Sequence, residues 1–378
     1  MQRLGWAGGA VITVLLIAAC SQPVSTRAPS GELTGTAAAK DAEWQQVLAA
    51  AKHEGIVSLA STQDAAKREA MLQFQKAYPE IRVDYLSLSF AEYETRVKPE
   101  RAAGIYSSDV FSSGTGSSVF QEQIPSGWYD PLKPALYLQD VLDDGSWLGG
   151  FDGGFLDDGK QYVYGFGLSA QNYTMANRDI VSEDALNTYQ DLLKPEFKGK
   201  IVILDATRSS AGSTTLAAIR LALGDDRMRQ LLVDQQPINT ADRRQIAEWL
   251  VRGTYPIGIG ITDSLLQPFR DEGLGKNVRP IAGALPVPAG SGQGTLILPS
   301  KAPHPNAAKV FVNWLLSHAG QTEWSSRSRE NSRRLDVPPS NPGATIDQSH
   351  ADRYINLGTE ENQAKVQAVA NFAASVMR

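Results

Sequence analysis

The sequence predicts an α/β fold of two open α/β lobes joined by hinge crossovers, and three observations carry that prediction. A chain of 378 residues, 42% hydrophobic and 20% charged, is long enough for two domains that each bury a core. Apolar strand-like runs alternate with amphipathic helices in β-α-β-α-β order between residues 44 and 111. The same alternation starts again near residue 198. That order builds a parallel sheet covered by helices. Right-handed crossovers gather the strand C-termini along one edge, where open sheets bind ligands.

The elements follow from local spacing. Trp44, Val47, Leu48 and Ala51 fall at i, i+3, i+4 and i+7, a helical stripe that Gly55 closes. Residues 56–60 (IVSLA) form a buried strand, and residues 65–78 a helix carrying Met71, Phe74 and Tyr78 on one face, stopped by Pro79. Residues 81–85 alternate as a second strand. Ser89 opens a helix that runs to about residue 103, and Asp109 begins a third strand. In the second half, residues 198–204 read as a strand, 214–223 as a helix and 255–261 as a strand whose Pro256 marks its start or an edge position. Short strands follow, including residues 294–298, then helices near 305–318 and 320–327. The interlobe connections are expected near residues 164–170 and 263–268.

Residues 6–19 form an apolar run behind Arg3, too short to span a bilayer comfortably and suited to an export signal. The run ends Ile17-Ala18-Ala19-Cys20, which resembles a bacterial lipobox and implies cleavage before Cys20 and lipid attachment to it. A plain signal peptide with an incidental cysteine is the alternative. Residues 1–19 are therefore expected as a lipoprotein signal peptide. Residues 20–37, rich in Pro, Ser, Thr and Gly, are expected as a flexible tether. Acyl chains contribute about 0.8 kcal/mol per buried CH₂, so the exported chain would stay on the membrane without a transmembrane helix.

Composition and motif absences narrow the function. A single cysteine excludes an internal disulfide and Cys-rich zinc sites. A formal charge of −5 argues against a nucleic-acid footprint. The sequence has no G-x-S-x-G elbow, P-loop, complete G-x-G-x-x-G or H-E-x-x-H. His53, His304, His318 and His350 are expected as surface or packing residues. Asp143-Asp144-Gly145 and Asp157-Asp158-Gly159 fail the calcium-loop pattern and are expected as turns. No catalytic residue, cofactor or metal site is nominated.

What the sequence does offer is a set of hydroxyl- and glycine-rich turns at strand ends. These are Ser61-Thr62; Ser113, Gly114 and Thr115 within residues 112–118; and Arg208, Ser209, Ser210, Gly212 and Ser213 within residues 207–215. Such turns present free N–H groups, hydroxyls and a helix N-terminus, and glycines admit close approach to the backbone. Arg208 adds a guanidinium able to grip carboxylate or phosphate. The same turns serve equally well as ordinary helix caps. Thr240 or Asp242 caps the helix that follows, Arg243 faces either cleft or solvent, and Asp263 accepts from a ligand or belongs to a hinge. Tyr164 stacks on an organic ligand or packs beneath the hinge.

Taken with the lipobox, the run LKPEFKGKIVILDATRSSAGSTTLAAIRLALG and the stretches GIVSLASTQ, SDVFSSGTGS, GLSAQNYTMANRDIV and RGTYPIGIGITDSLL resemble an extracellular solute-binding protein of an ABC importer. The similarity is to the branch that binds ferric ion, thiamine, phosphonates and phosphorylated sugars, and it covers about residues 40–340. It implies the type 2 periplasmic-binding fold, with one lobe from residues 38–165 and 264–378 and the other from 166–263. It also implies hinge closure over a small-molecule solute, a membrane permease as partner, and an exported, lipid-anchored monomer with no enzymatic step. The resemblance places Ser61, Thr62, Ser113, Gly114 and Thr115 on one side of the cleft. Arg208, Ser209, Ser210, Gly212 and Ser213 stand opposite, with Thr240 and Asp263 nearby. Iron-binding members use an adjacent tyrosine pair, which this sequence lacks. A small anionic organic solute is therefore expected, with an iron chelate or ferric ion as one alternative, an exported enzyme as another and a structural lipoprotein as a third.

Overall fold

The structure is a computed structural model and describes residues 32–208 and 210–377. In the first unit, strands Ile56–Ser61, Arg82–Ser87 and Val110–Ser112 form a parallel sheet with Ile56–Ser61 in the centre. Strand alternation sends Val57 and Leu59 to one face, where they join Phe74, Phe311 and Trp314. It sends Ala60 to the other face, with Tyr93, Val97 and Phe111. The helix Ala65–Leu72 starts at Asp64, whose carboxylate accepts from the N–H groups of Ala66 and Lys67 at 2.9 and 3.1 Å. The single helix expected over residues 65–78 is interrupted at Gln73 and resumes as Phe74–Ala77. Ser89 and Glu92 form a capping box for Phe90–Ala102. The returning segment lies antiparallel beside Val110–Ser112 through a Phe111–Ile297 bridge, so the strand expected at residues 294–298 is present as Thr295–Leu296 and Leu298–Pro299.

The second unit has a five-stranded sheet in the order Val278–Pro280, Thr174–Asn177, Ile257–Ile259, Ile201–Leu204, Ile238–Thr240. The last three strands are mutually parallel, and Thr174–Asn177 runs against them. Ile201, Ile203, Ile257 and Ile259 face the helix Ala211–Leu223, while Val202 and Leu204 face Ile246 and Leu250 of Arg243–Arg252. Pro256 precedes a central strand, so it marks a start and not an edge.

Three expectations about organisation need correction. The helix Glu32–Glu54 takes in residues 32–37 of the expected tether; the remainder of the tether, the signal peptide and Cys20 lie outside the described residues. The return crossing is not at residues 263–268, which open the helix Asp263–Asp271. It is Val287–Gly290, which pairs with the outward crossing Gly167–Ala170 in a four-stranded sheet completed by Asn331–Ser332 and Tyr354–Asn356. Finally, two segments past residue 264 pack with the second unit: Val278–Pro280 joins its sheet, and Val366, Val369 and Ala373 of the helix Glu360–Val376 enter its core. Both segments carry apolar faces that match either unit locally, so only tertiary pairing distinguishes them.

The Asp-Asp-Gly segments are turns as expected. Asp143 accepts from Gly145 N–H, and Asp157 accepts from the N–H groups of Gln161, Tyr162 and Val163. A stronger acidic device lies in the second unit. Burial pushes the Asp191 carboxyl up, but hydrogen bonds from Asn187, Lys194 and Thr188 outweigh that and leave it well below the ordinary range. A depressed carboxylate stabilises the fold above its unfolded value near about 3.9 and loses that contribution as pH falls below it. Asp191→Asn should therefore lower stability at neutral pH by on the order of 1–2 kcal/mol and flatten the acid dependence, as read by urea unfolding at several pH values.

Candidate functional site

The C-terminal ends of the parallel strands define one edge on each unit. On the first, Ser61 and Thr62 leave the central strand. Ser61 Oγ donates to the Ser112 carbonyl at 2.5 Å, and the Thr62 carbonyl accepts from the Tyr85 hydroxyl at 2.7 Å. Ser113 is buried, and its carbonyl accepts from the Thr295 hydroxyl. Gly114 and Thr115 are half-buried at the turn. Ser112 Oγ is fully buried at this strand end with no hydrogen-bond partner among the described residues.

On the second unit, the turn after Ile201–Leu204 leads into Ala211–Leu223. Ser210 is the cap: its Oγ accepts from Ser213 N–H at 3.1 Å and donates to the Asp205 carbonyl at 2.7 Å, while Ser213 Oγ accepts in return from Ser210 N–H at 3.0 Å. Both hydroxyls are thus taken up by capping. Gly212 also serves packing, not ligand approach, because a Cβ there would lie 1.8 Å from the Leu204 carbonyl oxygen. Gly260, at φ +85°, sits against it from the neighbouring strand end, where a Cβ would come within 2.6 Å of Gly212 Cα. Arg208 is 66% exposed and paired with Asp205 of its own turn at 2.9 Å. Ser209 lies outside the described residues. Thr240 Oγ1 accepts from Asp242 N–H, and Asp242 caps Arg243–Arg252 through Arg244 and Gln245. Asp263 accepts from Gln171 Nε2 at 2.5 Å and from Arg270 at 3.1 Å, which ties a crossing segment to the second unit.

Tyr164 requires a correction. It is 0% exposed, stacked on Phe151 and edge-on to Trp147 and Phe155, so it packs beneath the crossing strands and meets no solute. Its hydroxyl has no hydrogen-bond partner among the described residues, and burial holds it far above the ordinary phenol range. Tyr164→Phe should leave solute affinity unchanged and move thermal stability little, because the oxygen removed is buried without a hydrogen-bond partner while its neighbour Arg333 keeps its bonds to the Leu148, Gly150 and Gly165 carbonyls. A binding titration beside a melting curve checks both.

The structure adds residues that local reading did not select. The Arg243 side chain is exposed, yet surrounding protein lowers its guanidinium from the usual value, with the charge of Asp64 on the first unit opposing that shift. It makes no ion pair within 4 Å among the described residues. Ser117, in the turn after Val110–Ser112, donates to Gln367 Oε1 on Glu360–Val376 at 3.2 Å, and the charge of Asp64 reaches Arg243, so the strand-end edge of the first unit faces the second. Tyr173 lies at the junction of crossing strand and second sheet, where its carbonyl accepts from Gly260 and Ile261 N–H, both at 2.9 Å. Lys67, Gln293 and Glu330 cluster on the first-unit side. The sequence signal for Arg243 was its place just inside a capped helix; for Tyr173, Lys67 and Glu330 spacing carries none.

A surface cavity of about 400 Å³ lined by Lys76, Trp314, His318 and Glu323 involves none of these strand-end turns. Among the described residues no group of three or more His, Cys, Asp or Glu side chains could hold a metal ion, and no helix is long and apolar enough to cross a membrane.

Two α/β units connected by paired crossing strands, with their strand-end turns opposed, define a two-lobe binding protein. The chain belongs to the family of bacterial extracellular solute-binding proteins, which matches residues 59–322, and is a solute-binding protein of the ABC transporter type. Among solved structures, iron-bound HitA from Pseudomonas aeruginosa superposes with a TM-score of 0.65 at 17% identity, covering 85% of this chain and 99% of that one. AfuA from Actinobacillus pleuropneumoniae, with fructose-6-phosphate bound, gives 0.58 at 15% identity, covering 83% and 97%. The GacH receptor of Streptomyces glaucescens, studied unliganded and with acarbose, gives 0.63 at 16% identity, covering 85% and 93%. These likenesses share the type 2 periplasmic-binding fold, and their solutes differ widely. A comparison with curated proteins found no match.

Proposed function

We propose that the chain captures a small anionic organic solute, bearing carboxylate or phosphate, between its two units and delivers it to a membrane permease. The observation that carries this reading is Arg243, a guanidinium at the inter-unit edge with no ion-pair partner of its own within 4 Å among the described residues. The guanidinium is exposed and within electrostatic reach of Asp64 on the other unit, so an anion held between the units would meet it. The positive end of the Ala211–Leu223 dipole lies on the same edge and adds about 0.3–1 kcal/mol. The other strand-end helices carry a carboxylate at their starts, Asp64, Glu92, Asp242 and Asp263, which leaves Ala211–Leu223, with a serine cap and no acid in its first turn, as the one suited to an anion.

Lobe 1 in this reading comprises the first sheet with the helices Pro305–Leu316 and His318–Ser328. Lobe 2 comprises the five-stranded sheet with Val278–Pro280 and Glu360–Val376. The crossing strands act as the hinge. No bond is made or broken, and the protein acts as an exported monomer anchored through lipidated Cys20, as the resemblance of its leader to a lipobox implies. Naked ferric ion fits less well, since the sequence has no adjacent tyrosine pair to supply phenolates. Titration calorimetry against phosphorylated sugars, organic acids, thiamine compounds and phosphonates tests the reading. Micromolar affinity, about −8 kcal/mol, is expected for at least one anionic compound, and a panel binding only uncharged compounds contradicts it.

A further inference from the structure

We propose that the floor of the cleft selects the end of the solute remote from its anionic group, and that this end donates hydrogen bonds through a hydroxyl or an ammonium. The inference rests on the anionic-solute reading above and names the second half of the molecule. Four residues build the floor. Tyr173 is fixed by its carbonyl to the end of Ile257–Ile259, and its hydroxyl lies 3.3 Å from Ser169 Oγ on the outward crossing strand. Asn331 pairs with Leu168 of that strand, which sets Glu330 beside Ser169, and the charges of Glu330 and of Asp263 on the second unit both act on the phenol. Lys67, whose side chain is 6% exposed, is ion-paired to Glu330 Oε1 and donates to Gln293 Oε1 at 2.9 Å.

Counting donors and acceptors decides what the floor can take. Both Asp263 oxygens are occupied, one by Gln171 and one by Arg270. Glu330 has one oxygen on Lys67; its Oε2 has no hydrogen-bond partner among the described residues and lies over Gly292, where a Cβ would sit 3.8 Å away. The charges of the floor cancel in two pairs, Lys67 with Glu330 and Arg270 with Asp263, so it offers no net attraction to a second anion. The Tyr173–Ser169 contact uses one of the two hydroxyl hydrogens, so what remains is the Glu330 Oε2 acceptor with one free hydroxyl donor beside it, and a solute donor is needed to satisfy the carboxylate. An acceptor in a confined site discriminates strongly against a ligand with nothing to donate, because the oxygen is then left unpaired. Arg243 on the rim takes the anionic group, and the floor takes the donor. Lys67 is a positioning residue that aims Glu330.

Calorimetry on the full exported chain with four probes tests this: inorganic phosphate, n-butyl phosphate, glycerol 3-phosphate and phosphoethanolamine. Glycerol 3-phosphate or phosphoethanolamine should bind at least about tenfold tighter than n-butyl phosphate, and the tighter of the two tells hydroxyl from ammonium. Glu330→Gln should shrink that preference by about fivefold or more while leaving inorganic phosphate within about twofold. Tyr173→Phe, which removes one hydroxyl and keeps the ring, should shrink it in the same direction and guards against misfolding of the Glu330 variant. Equal binding of n-butyl phosphate and the donor-bearing probes overturns this inference and leaves the anion reading standing. Failure of every phosphate probe and of every carboxylate in the earlier panel overturns the anion reading, and this inference with it.

Discussion

Gly212→Ala is expected to destabilise the second unit by about 3 kcal/mol and to abolish solute binding together with it. The cause is backbone against backbone. The new Cβ would meet the Leu204 carbonyl oxygen at 1.8 Å, and neither the strand nor the helix start can yield without breaking the Ser210–Ser213 cap. Gly260 closes the other side, so the helix has no room to lift. For a unit of this size the change corresponds to a fall of roughly 6–12 °C in melting temperature. Gly343→Ala, where the nearest atom is a flexible Asn341 oxygen at 3.5 Å, should shift the melt by little and serves as the control. A melt of Gly212→Ala indistinguishable from the control would contradict the packing described here.

Arg243→Ala is expected to weaken anionic-solute binding by roughly 10–150-fold, the loss of about 1.5–3 kcal/mol from a charge-assisted contact. Stability should scarcely change, because the guanidinium has no ion-pair partner within 4 Å among the described residues to leave stranded. Arg208→Ala should weaken binding less, since its guanidinium is largely exposed and already paired with Asp205. Calorimetry on the two variants separates the cases. Equal losses, or a larger one at Arg208, would move the anion site to the turn before Ala211–Leu223.

Much of the fold was legible because its signals are local. Apolar runs such as IVSLA and IVIL, and the caps Asp64, Ser89 and Asp242, fix strands and helix starts within a few residues. The alternating order then implied parallel sheets with ligand-facing edges, and the strand-end turns do lie there. What local pattern could not supply was the use to which each polar side chain is put. Ser210 and Ser213 look the same in sequence whether they grip a ligand or cap a helix, and here the cap wins. Tyr164 sits beside crossing-strand glycines in the sequence, but its burial is decided by Trp147, Phe151 and Phe155, which come from a separate segment. The return crossing at Val287–Gly290 was missed for the same reason, as a four-residue strand with Pro and Gly carries no periodic signal. The floor residues Lys67, Tyr173, Asp263 and Glu330 lie far apart in the chain, and only the folded arrangement unites them.

On the proposed reading, the cleft between the units holds one small anionic organic molecule. Native mass spectrometry of the gently purified protein, followed by denaturation and analysis of what is released, tests it most directly. A mass excess from one bound molecule per chain is expected, released as a single carboxylate- or phosphate-bearing compound and lost in Arg243→Ala. Release of an uncharged compound, or of a metal ion with no organic partner, would contradict it.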